Sequence, residues 1–248
     1  MKDFLKKESV LFVPSSIMFL MALFMLELFM CFGIISKNKG LVVTIIYMFL
    51  FTMVIMIVVL LSMSGKALLT HLRDENYYRI RKEAGDGAVA VYLKLTALYS
   101  LILALLGGLY LLMLGLDILW SAVAFPEEKA GITKIWTTLF PGPNNASAVV
   151  SAVLELFLIA FLFTALSFFC VTMAFNLFTK TRYAGILAAV FFMMIGYAVV
   201  KLNIELLGKL EPVTVYHLAS AAFCAVIGAF LTAASFGSIR KRNWNTEQ

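Results

Sequence analysis

The chain reads as six long apolar runs separated by short polar stretches. The runs fall at about Val10–Ile35, Leu41–Ser64, Tyr92–Leu116, Ala148–Phe175, Tyr183–Val200 and Val215–Gly237. Crossing a bilayer as a helix takes roughly 20 residues at about 1.5 Å rise each, with about 17 as the lower limit. Every run meets that length. Hydrocarbon offers backbone N–H and C=O groups no hydrogen-bond partner, so apolar runs this long must be helices. The pattern predicts an all-α polytopic membrane protein with six transmembrane helices. The first run is too long for a signal-peptide core and lacks a convincing cleavage site, so it is expected to be retained.

Composition agrees with the pattern. Of 248 residues, 62% are hydrophobic and 14% charged, and the mean hydropathy is +0.97. Soluble domains carry about 25% charged residues. The even spread of apolar runs predicts one membrane domain over residues 10–237, followed by a tail over residues 238–248.

The 20 Lys and Arg residues set an orientation. Fourteen fall in the N-terminus, the loop after run two, the short loop after run four and the C-terminus. The other six are Lys37, Lys39, Lys129, Lys134, Lys201 and Lys209, all in the alternate loops. The positive-inside bias then predicts that both termini are cytoplasmic, as an even number of spans requires. This bias accounts for most of the net charge of +6 and calls for no nucleic-acid partner.

The long loop after run two contains "HLRDENYYRIRKEAGDG", residues 71–87, with four basic and four acidic residues. From Gly65 to Glu83 it is rich in helix formers and free of proline. Leu68, Leu69 and Leu72 form a short apolar stripe continuing run two. Opposite charges three or four apart in "RDEN" and "RIRKE" suit an exposed helix, which "GDG" would end. Two readings are open: a solvated connector, or a docking helix whose mixed charges and paired tyrosines fit a groove on a cytosolic partner.

On these residues the chain resembles the permeases of ABC type-two exporters. "RDEN" (Arg73 to Asn76), Gly85 or Gly87, and Lys94 in "VYLKLTALYS" occupy the places of that family's charged run, glycine and lysine. Where members usually have an "LP" turn, this chain has "GDGAV". The resemblance is specific over 66–100 and extends to the rest of the chain in layout. It implies the six-helix type V exporter fold, with an amphipathic elbow helix over residues 1–9 ("MKDFLKKES") and a coupling helix at about 66–84. His71, Arg73, Asp74, Glu75, Tyr77, Tyr78 and Arg79 would then dock on an ATPase subunit. Residues 201–213, "KLNIELLGKLEPV", resemble the short external re-entrant segments of such exporters.

The implied activity is ATP-driven export of an amphipathic or hydrophobic cargo, such as a peptide, toxin or drug. The implied partners are a cytosolic ABC ATPase and a second permease chain, identical or related, in a bacterial plasma membrane. ATP and Mg would belong to the ATPase. A phosphate-cradling loop needs G-x-x-x-x-G-K-[ST]. Gly65–Lys66 has Leu60 at the first glycine position and Ala67 after the lysine, and Gly208–Lys209 has Asn203 and Leu210. The chain is therefore not expected to be an enzyme or to hold a cofactor.

No metal site is expected either. His71 and His217 are predicted on opposite sides of the membrane, and H-E-x-x-H is absent from the sequence. Cys31, Cys170 and Cys224 lie within runs and read as small apolar filler.

Two acids interrupt the apolar runs. Glu27 and Glu155 both fall in the predicted outer half of the membrane. A carboxylate at the centre of a membrane helix costs roughly 2.5–3.5 kcal/mol on insertion scales, so such residues face protein or a watery cavity. They are candidates for a substrate path, against the plainer alternative of hydrogen-bonded packing residues. Run six carries small residues every fourth position. Ala221, Ala225, Ala229, Ala233 and Gly237 make one series; Ser220, Cys224, Gly228 and Thr232 make another. That spacing lets helix backbones approach closely, so Ala221, Ala225, Gly228, Ala229 and Ala233 are expected at a helix–helix contact. Competing functions are a secondary transporter, which usually shows more spans or inverted repeats, and a non-transporting immunity or assembly protein.

Overall fold

A computed structural model describes residues 2–73, 88–128, 146–177, 181–211 and 213–241. Among them there is no strand. Six helices carry the chain: α1 (Lys2–Ile35), α2 (Lys39–Arg73), α3 (Ala88–Ala124), α4 (Ala146–Leu177), α5 (Thr181–Leu207) and α6 (Val213–Lys241). A single 3₁₀ turn, Pro126–Glu128, follows α3. All six helices contain a stretch long and apolar enough to cross a membrane. The protein is a multi-pass membrane protein. Large apolar side chains on the helix surfaces, among them Met21, Phe24, Phe32, Tyr197 and Phe230, are exposed, as lipid-facing positions must be.

The helices outrun the apolar runs. The third run stops at Leu116, yet α3 continues to Ala124 because nothing before Phe125–Pro126 breaks it. Residues 201–207, expected in a separate re-entrant segment, are the last turns of α5, and the chain turns at Gly208. "KLNIELL" has no helix breaker, so extending the helix costs less than nucleating a new one. The amphipathic start belongs to α1, which runs on from Lys2 through Pro14. Of the stretch 66–84, residues up to Arg73 belong to α2; the rest lie outside the described residues.

The chain divides into two compact units. The first comprises residues 1–60 and 105–144: α1 with the first part of α2 and the second part of α3. Tyr110 on α3 donates its hydroxyl to the Phe19 carbonyl of α1 at 2.8 Å, and its ring meets Phe49 of α2 edge-on at 6.2 Å. Met30, Ile45, Leu114 and Ile118 of the same unit are also buried. The α1–α2 turn is closed by its own backbone. Asn38 N–H donates to Gly33 C=O and Lys37 N–H to Ile34 C=O, with Lys37 left-handed at φ 51°. This satisfies carbonyls that the end of α1 would leave open. Asn38 then caps α2, its side-chain oxygen accepting from Leu41 N–H at 3.1 Å.

The second unit comprises residues 61–104 and 145–248: the end of α2, the start of α3, and α4 to α6. Its centre is Tyr92, fully buried, with Phe168 of α4 and Phe236 of α6 edge-on at 5.2 and 4.9 Å. The end of α2 is tied to α4 by Ser167, whose hydroxyl donates to the Leu61 carbonyl at 3.1 Å. Gly65 lets Val171 close in at the same place. Helix α4 packs along both α5 and α6. The α4–α6 contact is close because Gly228 has no side chain: a Cβ there would lie 2.5 Å from the Phe161 ring.

Gly228→Leu should therefore force these helices apart and cost about 1–3 kcal/mol. Phe161→Ala in the same chain should recover part of that loss. Thermal unfolding of the purified variants in detergent reads both effects.

Candidate functional site

Among the described residues, each unit brings together a pair of titratable side chains from two helices. In the second unit, Glu155 lies in the third turn of α4 and His217 in the second turn of α6. Both are more than nine-tenths buried, and His217 Nδ1 bonds to Glu155 Oε2. The Tyr216 ring stands edge-on to His217 at 5.5 Å. Nearby, Asn203 of α5 donates its amide N–H to Ser220 Oγ of α6 at 3.1 Å. Glu155, Asn203, Tyr216 and Ser220 also line a cavity of about 220 Å³ between α4, α5 and α6.

In the first unit, the half-buried Glu27 of α1 lies beside Asp117 of α3. Asp117 is 2% exposed, and Ser121, one turn further along α3, is 1% exposed. Glu27 Oε1, Asp117 Oδ2 and Ser121 Oγ find no hydrogen-bond partner among the described residues. Two carboxylates this close repel each other when both are charged. The pair is suited to taking up and releasing a proton or to holding a cation.

Of the residues singled out in the sequence, Glu27 and Glu155 fall in different pairs. Ala221 and Gly228 are buried, Ala225 is half-buried, and Ala229 and Ala233 are exposed. The buried face of α6 follows Ser220, Ala221, Cys224, Gly228 and Thr232. His71 and Arg73 belong to the last turn of α2, with their side chains outside the described residues. Asp74, Glu75, Tyr77, Tyr78 and Arg79 lie outside them altogether. Among the described residues, no group of three or more His, Cys, Asp or Glu is placed to hold a metal ion.

Sequence reasoning missed Asp117 and Asn203. Asp117 is the only charge between Leu95 and Phe125, and reading that whole stretch as one helix would have put it inside the membrane. Asn203 carried no signal. His217 was noticed, but not as the partner of Glu155, 62 residues away. No family model, no curated protein and no solved structure matches this chain.

The two pairs should respond oppositely to neutralisation. Asp117→Asn removes a like charge beside Glu27 and is expected to raise the unfolding midpoint by a few degrees, about 1 kcal/mol. His217→Ala strips Glu155 of its partner and is expected to cost about 3–5 kcal/mol. Thermal melts of the purified proteins in one detergent check both.

Proposed function

We propose that this chain is the permease subunit of an ABC-type exporter. It carries an amphipathic or hydrophobic cargo, such as a peptide, toxin or drug, out across a bacterial plasma membrane. Two such permease chains, identical or related, work with two cytosolic ATPase chains that bind ATP and Mg. Residues 74–87 form the docking segment, with Arg73, Asp74 and Glu75 at its start.

One observation carries this reading. The helices flanking residues 74–87 pack on α4 and α6, the helices that hold Glu155 and His217. Tyr92, in the second turn of α3, packs against Phe168 and Phe236, and Ser167 of α4 holds α2 at Leu61. A force applied to the charged segment would bear on those helices directly, which is what coupling an external motor to a membrane path requires.

The buried pairs favour a second reading, a proton-coupled secondary transporter, because ionisable residues inside membrane helices often serve as proton relays. Purification from native membranes in mild detergent separates the two. The exporter reading expects a P-loop ATPase to co-purify and to be lost when Arg73, Asp74 and Glu75 are reversed in charge. Transport by the chain alone, driven by a pH gradient without ATP, would decide for the second.

Under the exporter reading, Glu27→Gln is expected to lower export several-fold while leaving assembly with the ATPase intact. Transport into inverted vesicles, measured beside co-purification, checks this; unchanged export removes Glu27 from the path.

A further inference from the structure

The cavity between α4, α5 and α6 lies wholly within the second unit. Its wall combines one carboxyl side chain, Glu155, with two neutral polar ones, Asn203 and Ser220, and three aromatic rings, Phe163, Tyr216 and Phe223. We propose that this cavity binds a small aromatic amine as its ammonium cation, with Glu155 as the counter-charge and the rings around its apolar body.

Size sets the first limit. A dry cavity of about 150 Å³ admits benzene. This one, at about 220 Å³, admits a ring with a short aminoalkyl arm. Charge sets the second. The carboxylate of Glu155 is oriented by His217, which lies behind it and is not part of the wall. Glu155 is the one acidic side chain in the wall, so it is the partner the wall offers to a cation.

The lining excludes other ligand classes. An anion would meet the carboxylate. A metal ion would find one carboxyl group and no second acidic, thiol or imidazole ligand apart from Cys224. An acyl chain would press hydrocarbon against Glu155 and supply no counter-charge, a costly arrangement. An ammonium group gains both the ion pair and the faces of the rings, an attraction that strengthens away from water. Asn203 and Ser220 already bond to each other across α5 and α6, which leaves oxygen lone pairs to accept from the remaining ammonium hydrogens.

This assignment concerns binding by the chain alone and is independent of the exporter reading. An ATPase that fails to co-purify leaves it intact, and a cavity that fails to bind leaves the ATPase result intact.

The test compares phenethylamine with 2-phenylethanol, its neutral analogue of nearly equal size, on the purified full-length protein at about pH 7. Calorimetry or ligand-observed magnetic resonance reads the affinities. The amine is expected to bind at least about tenfold more tightly than the alcohol. Equal affinities, or binding of neither, overturns the proposal, and this comparison needs no variant. Glu155→Gln is expected to abolish the preference while leaving alcohol binding unchanged. Val199→Trp fills the cavity from α5 while keeping Glu155 and His217, and is expected to abolish binding of both. Amine binding that survives both substitutions in folded protein places the ligand elsewhere and overturns the assignment. So does a co-purified lipid in the cavity that phenethylamine fails to displace.

Discussion

A backbone inside hydrocarbon must satisfy its own hydrogen bonds, and the rest of this structure follows from that constraint. It makes every span a helix and leaves polarity to the side chains alone. Most buried hydroxyls solve the problem locally. Thr96, Thr164, Thr232 and Ser235 each donate to the carbonyl one turn back along their own helix, a bond that needs no partner helix. Carboxyl groups have no such local solution, since an ionised carboxylate cannot donate. Glu155 and Asp117 are therefore found against side chains from another helix.

Association between membrane helices depends on close packing more than on the hydrophobic effect, because lipid tails are as apolar as leucine. In the second unit, Gly228 lets the Phe161 ring in, Gly65 lets Val171 in, and Tyr92 fills the centre between two aromatic rings. These contacts bind the ends of α2 and α3 to α4 and α6. The titratable pair of that unit sits on α4 and α6, two helices of the same packed group.

The exporter reading and the amine site meet at Glu155 but rest on different physics. The first depends on mechanical continuity between a polar segment and the helices behind it. The second depends on shape and charge at one wall. A path that includes this cavity would favour cargo with a positive group beside an aromatic or aliphatic body, as amphipathic cationic peptides and many drugs have.

Hydropathy alone determined the number of spans, the helical class and the presence of Glu27 and Glu155 within the bilayer, because membrane insertion responds to local composition over about 20 residues. Local signals were weaker at helix ends. The continuation of α3 past Leu116 brought Asp117 into that helix, and the continuation of α5 past Val200 brought Asn203 to the cavity. Both extensions follow from the absence of a helix breaker, since elongation costs less than a new nucleus. The small-residue spacing of α6 announced a close contact, yet only the tertiary structure chose the Ser220–Cys224–Gly228–Thr232 face over Ala229 and Ala233. Likewise, nothing local joins Glu155 to His217 or Glu27 to Asp117. Those pairs lie 62 and 90 residues apart in sequence, and which helix faces meet is decided by the fit of side chains across them, a property of no single segment.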